Sequence, residues 1–129
     1  LVAVNDSKPF PASYSSLALL ALLGEDERRA IVNKLALDAP ADWVEQHRHQ
    51  LERQIRDKIE EVRTLGYCAG PNIVMPGVAG MAAPVPSATR EPYMSLSISA
   101  IEERLHAERV RELAPRLLKT ARAISEYIE

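Results

Sequence analysis

Ser95, Ser97 and Ser99, set two residues apart, are the side chains in this sequence best spaced to hold a polar ligand. A strand sends alternate side chains to opposite faces. Residues 93–99 therefore place Met94, Leu96 and Ile98 on one face and the three serines, with Tyr93, on the other. The partner strand, residues 78–85, is nearly all small. It carries Val78, Gly80 and Ala82 on one face and Ala79, Met81 and Ala83 on the other. Small residues leave room above a sheet, and hydroxyls beside that room can donate to and accept from a polar molecule. The same alternation also arises where one face of an antiparallel sheet simply meets water.

A second group of hydroxyls, Ser13, Tyr14, Ser15 and Ser16, precedes the apolar run of residues 17–23. A helix is predicted from near Ser13 to Gly24. Ser13 or Ser15 suits the N-cap, where a side-chain oxygen accepts from a free backbone N–H. A helix start rich in hydroxyls also suits a carboxylate, which the N–H groups and the helix dipole favour.

Other chemistries lack their residues. Cys68 is the single cysteine, and His47, His49 and His106 are the histidines. His47 and His49 are two apart on a predicted helix and so point to different faces. A helical zinc pair needs a spacing of four. Cys68 reads as a small buried residue and cannot form an internal disulfide, which fits a reducing compartment. The five glycines form no phosphate loop or dinucleotide fingerprint, so no cofactor is expected. No pair of acids is placed for hydrolytic work, and no enzyme is expected.

The positioning elements follow from periodicity and punctuation. Residues 1–4, Leu-Val-Ala-Val, read as a short strand, and Asn5 to Pro9 as a loop. A second helix starts at Gly24-Glu25-Asp26-Glu27, with acids in its first turn, and turns Ile31, Val32 and Leu35 inward. Residues 36–40 connect it to a long helix. Asp42 and Glu45 fit a capping box, and Val44, Leu51, Ile55, Ile59, Val62 and Leu65 form one apolar stripe that ends at Gly66. Its Glu, Arg, Lys and Gln residues read as a solvated face. Residues 67–69 are a strand, Gly70-Pro71-Asn72 a turn, and residues 73–75 an edge segment. Residues 86–92 form a hairpin loop. A helical turn at residues 101–105 precedes a last helix over about 107–128, striped by Val110, Leu113, Leu117, Ala121, Ile124 and Ile128. Pro115 within it predicts a kink or a late start.

Composition sets the outer bounds. The chain has 129 residues, 47% hydrophobic and 26% charged, enough for one domain with a core. A net charge of −2 gives no electrostatic footprint for nucleic acid. No apolar run approaches the roughly 20 residues of a membrane span. The first residue is Leu rather than Met, so we expect a piece of a longer protein.

The order of these features resembles a known family. A Pro-x-x-Ala-Ser helix start leads to a long amphipathic helix ending Leu65-Gly66-Tyr67. Then come Pro76-Gly77-Val78-Ala79-Gly80-Met81-Ala82-Ala83-Pro84-Val85, a strand ending Leu96-Ser97-Ile98-Ser99, and Thr120-Ala121-Arg122-Ala123-Ile124-Ser125. The chain is similar over nearly its whole length to the C-terminal effector-binding domain of IclR-type bacterial transcriptional regulators.

That resemblance implies a GAF-like α+β fold, an antiparallel sheet flanked by helices. It implies a small-molecule effector, a small carboxylate or aromatic acid, and operator DNA bound only by an N-terminal winged helix-turn-helix outside these residues. It further implies a homodimer or homotetramer in the cytoplasm, with no membrane partner. The family's ligand positions map onto Ser13, Tyr14, Ser15, Val78, Gly80, Ser97 and Ser99. The family usually has small residues and a glycine where this chain has Tyr14 and Ser16, so Tyr14 either fills part of the site or offers its hydroxyl to the ligand. The rival expectation is an oligomerisation module whose pocket is vestigial.

Overall fold

A computed structural model of the chain describes residues 13–38, 41–72, 76–88 and 94–128. The expected strand at residues 1–4, the loop after it, the edge segment at 73–75 and Tyr93 lie outside the described residues. Among those described are four helices, α1 (Tyr14–Leu20), α2 (Glu25–Asp38), α3 (Ala41–Leu65) and α4 (Ala107–Ile128). Three strands, β1 (Cys68–Pro71), β2 (Val78–Pro84) and β3 (Ser95–Ile101), form an antiparallel sheet in the order β1-β2-β3. The chain is thus α+β, an antiparallel sheet with helices on its faces.

The period-two pattern of β2 decides which helix goes where. Ala82, with Cys68 from β1, packs into a core with Tyr14, Leu17, Ala18, Leu20 and Ala21 of the α1 region and Ile55 and Val62 of α3. Ala79, Met81 and Ala83 point the other way, into a second core with Ala114, Leu117 and Ala121 of α4. Met94, Leu96 and Ile98 join that second core, while Ser97 and Ser99 are exposed. The sheet is therefore the middle of three layers. Each fully buried leucine, such as Leu17 or Leu20, contributes about 2–3 kcal/mol by leaving water.

The helix ends show their causes. Ser13 is the N-cap of α1, and its Oγ accepts from Ser16 N–H at 3.2 Å. Gly66 ends α3 in the left-handed region at φ 87°, and its N–H donates to Val62 O at 2.8 Å. His106 opens α4, where its Nδ1 accepts from Arg109 N–H at 3.3 Å.

Several boundaries differ from those the sequence suggests. Helix α2 runs on to Asp38, through residues that read as a connection. Helix α3 begins at Ala41, so Asp42 lies inside its first turn, where its charge suits the dipole, and not at the cap. Leu65 closes the expected stripe but is 50% exposed, because the helix ends there. Strand β1 continues through Gly70 and Pro71, which read as a turn. Strand β3 runs to Ile101, leaving a short 3-10 turn at Glu102–Arg104. Pro115 does not delay α4, which is continuous from Ala107.

Candidate functional site

The register of the sheet lays out the serine face. Gly80 pairs with Ser99, Ala82 with Ser97, Pro84 with Ser95 and Val78 with Ile101. Paired residues share a face, so Ser95, Ser97 and Ser99 stand beside Val78, Gly80 and Ala82. Helix α1 lies on this same face. Ser15 Oγ is 2.5 Å from Ser95 Oγ, a contact between residues 80 apart in the chain. Hydroxyls from the first turn of α1 and from β3 therefore meet at Ser15 and Ser95, and no such contact is recorded for Ser97 or Ser99.

Each expected site residue has a definite place. The Ser13 hydroxyl caps α1 and lies 2.8 Å from Ser16 Oγ. The Ser15 hydroxyl ties α1 to β3. Val78 is half-buried at the end of β2. Ser97 and Ser99 are exposed along the strip of β3 that α1 leaves open.

Tyr14 departs most from a simple open site. It is 6% exposed, and its ring lies on Gly80, where a β-carbon would come within 3.0 Å of Tyr14 Cδ2. Its hydroxyl reaches β1, where a β-carbon on Gly70 would come within 2.5 Å of it. The room above the small residues of β2 is thus taken, over Gly80 and Ala82, by α1. Small residues here let a helix approach the sheet closely.

The phenol is held by polar groups that the sequence reading assigned to a solvated face. Tyr14 O–H donates to Pro71 O at 2.9 Å and accepts from Gln54 Nε2 at 3.3 Å. Lys58 Nζ stands 5.5 Å from the ring centroid, a cation–π contact. Burial pushes the Tyr14 hydroxyl up to about 12, so it stays a neutral donor. Gln54 Oε1 is buried and has no hydrogen-bond partner. Lys58 donates to Glu61 at 2.8 Å and to Ala69 O at 2.5 Å, and Glu61 Oε1 accepts from Ala69 N–H at 3.0 Å. The spacing of positions 54, 58 and 61, by four and three, puts them on one face beside the Ile55–Ile59–Val62 stripe, but it does not show that a strand edge meets that face.

Cys68 is fully buried in the same core, and its thiol donates to Tyr14 O at 3.6 Å. Burial, with the nearby Glu61 carboxylate, pushes it up to about 12. A thiol so held is protonated and a poor nucleophile.

The sequence matches a family of known proteins. The sequence profile for the bacterial transcriptional regulator IclR C-terminal region matches residues 6–126. The chain belongs to the IclR family. Its fold is that of solved IclR-type regulators: one from Brucella abortus superposes with a TM-score of 0.73 at 20% identity, covering 92% of this chain and 44% of that one. HmgR of Pseudomonas aeruginosa gives 0.69 at 28% identity, covering 98% and 47%. The inducer-binding domain of Acinetobacter PobR, a double mutant in complex with 3-hydroxybenzoic acid, gives 0.68 at 20% identity, covering 88% and 65%. This IclR-type chain spans under half the length of the first two. No curated protein matches it. Among its described residues, no helix is long and apolar enough to cross a membrane.

Proposed function

We propose that this IclR C-terminal domain is the ligand-sensing part of a cytoplasmic transcriptional regulator, binding a small carboxylate or aromatic acid against the serine face of β3. The contact between Ser15 and Ser95 carries this reading. It brings the start of α1 to the strand whose Ser97 and Ser99 hydroxyls are exposed. Ser13, Tyr14, Ser15, Val78, Gly80, Ser97 and Ser99 form or bound the site. The family of regulators to which the chain belongs supports the role, and PobR's inducer-binding domain, bound to 3-hydroxybenzoic acid, supports the ligand class.

The mechanism is a population shift. An N-terminal winged helix-turn-helix, outside these 129 residues, contacts operator DNA. The domain described here assembles the regulator as a homodimer or homotetramer. The effector binds one arrangement of that assembly better than the other and, by linkage, changes its DNA affinity. Calorimetry with a panel of small carboxylates and aromatic acids tests the site. Ser97→Ala with Ser99→Ala is expected to weaken a bound acid at least tenfold; unchanged affinity removes β3 from the site.

A second reading has its own observation. Tyr14 buries itself over Gly80, as a chain whose pocket had become vestigial would show, leaving oligomerisation as the role. Light scattering with and without small acids separates the two. An assembly of fixed size that binds no acid supports the second.

A further inference from the structure

The ring of Tyr14 covers Gly70 and Gly80 on the face of the site proposed above, and it is built in rather than loosely placed. Two strand positions fit it by having no side chain. A β-carbon at Gly70 would meet the Tyr14 hydroxyl at 2.5 Å, and one at Gly80 would meet Cδ2 at 3.0 Å. Its hydroxyl is fixed at both lone pair and proton, by Gln54 Nε2 and Pro71 O, and Lys58 stands over its face. A buried ring with its polar end satisfied is a wall and not a gate.

We infer that Tyr14 sets the size of effector this domain accepts: its phenol fills the ground over Gly70 and Gly80, leaving a ligand only the strip along Ser97 and Ser99. A short aliphatic carboxylate needs only hydroxyls along one strand face, such as those of Ser97 and Ser99. A benzene ring needs the volume that the phenol already fills. Removing that phenol frees a ring-sized space still lined by Pro71 O and Gln54. Gln54 Oε1, now without a partner, is an acceptor waiting for a hydroxyl. The vacated space therefore favours a hydroxylated aromatic acid over an unsubstituted one. The inference rests on the sensing role proposed above and narrows its ligand class.

The test is calorimetry on the wild-type chain and on Tyr14→Ala, Tyr14→Ser and Tyr14→Phe, with propionate, pyruvate, benzoate and 3-hydroxybenzoate as probes. The wild type is expected to bind a short aliphatic acid and neither aromatic one. Tyr14→Ala or Tyr14→Ser should gain at least tenfold in affinity for 3-hydroxybenzoate, more than for benzoate, and 3-hydroxybenzoate should raise the melting temperature of that variant alone. Tyr14→Phe keeps the ring and should keep the exclusion, which sets size apart from the hydroxyl's own role. Wild type or Tyr14→Phe binding 3-hydroxybenzoate as tightly as propionate overturns the inference, even if the smaller variants fail to fold. Folded small-residue variants that gain no aromatic affinity, with the wild type still binding a short acid, overturn it and leave the sensing role standing. Binding of no acid by any of the four chains overturns both.

Discussion

The hydroxyl of Tyr14 lies where a side chain on Gly70 would have to begin: a β-carbon there would be 2.5 Å from it. Gly70 also holds a backbone φ of 153°, which side-chain-bearing residues rarely adopt. Helix α1 and strand β1 thus constrain each other through one atom, and the pair can be tested without any ligand.

Gly70→Ala is expected to destabilise the chain by about 2–3 kcal/mol, from the overlap and the backbone strain together. Tyr14→Phe removes the overlapping oxygen and leaves the ring carbon 3.4 Å away, an ordinary contact. In urea unfolding, the double variant should therefore lose less than the sum of the two single losses, by about 1 kcal/mol. Strictly additive losses would show that the close approach has no energetic weight.

Lys58 and Glu61 act as a substitute neighbour for β1. Their side chains are 19% and 25% exposed, and they satisfy the outward carbonyl and N–H of Ala69. Glu61→Ala leaves the Ala69 N–H without a partner and the half-buried Lys58 ammonium without its counter-charge, and should cost about 1–3 kcal/mol. Lys58→Met should cost less, since its stem still packs. Hydrogen exchange at the Ala69 amide should rise in Glu61→Ala, and an unchanged rate would remove the edge contact from the account.

Two neutral acids in the α1 core make the fold sensitive to base. Cys68 and Tyr14 titrate ordinarily at 9.0 and 10.0 and are both raised to about 12. Well below pH 9 both are protonated whether the chain is folded or not, and this contribution is whole. As pH climbs toward 12 the unfolded chain releases these protons first, so stability falls by up to about 1.4 kcal/mol per pH unit for each group. Cys68→Ala combined with Tyr14→Phe should flatten the decline of urea midpoint between pH 9 and pH 11. A parallel decline in wild type and double variant would refute this source.

Pro115 lies on the exposed side of α4 and removes one rung of its ladder. Pro115→Ala restores the N–H and should raise stability by about 1–3 kcal/mol, read as a higher urea midpoint at unchanged slope. A lower midpoint would mean that the proline shapes the packing of Ala114 and Leu117 on β2.

The sheet faces were legible because β2 and β3 alternate without a break: Ala79, Met81 and Ala83 went to one core and Ala82 to the other, as period two requires. The α1 cap was legible in Ser13. The continuation of β1 was not, because Gly70 and Pro71 carry turn chemistry in isolation. At a sheet edge, however, Pro71 lacks an N–H that would have pointed outward, and its carbonyl finds Tyr14. The room over Gly80 was misjudged for a related reason. Small residues permit close approach, and only three-dimensional packing decides whether a helix or a ligand makes it. Gln54, Lys58 and Glu61 were taken for solvated positions because charge alone does not reveal a strand edge beside it.

The margin of the sheet along β1 is sealed by its own chain: Ala69 and Pro71 turn their outward groups to Lys58, Glu61 and Tyr14. Among the described residues, no strand or side chain is recorded against the backbone groups of Ser95, Ser97 and Ser99 on the outer edge of β3. A further strand is therefore kept off the β1 edge, and a second chain cannot extend the sheet from that side.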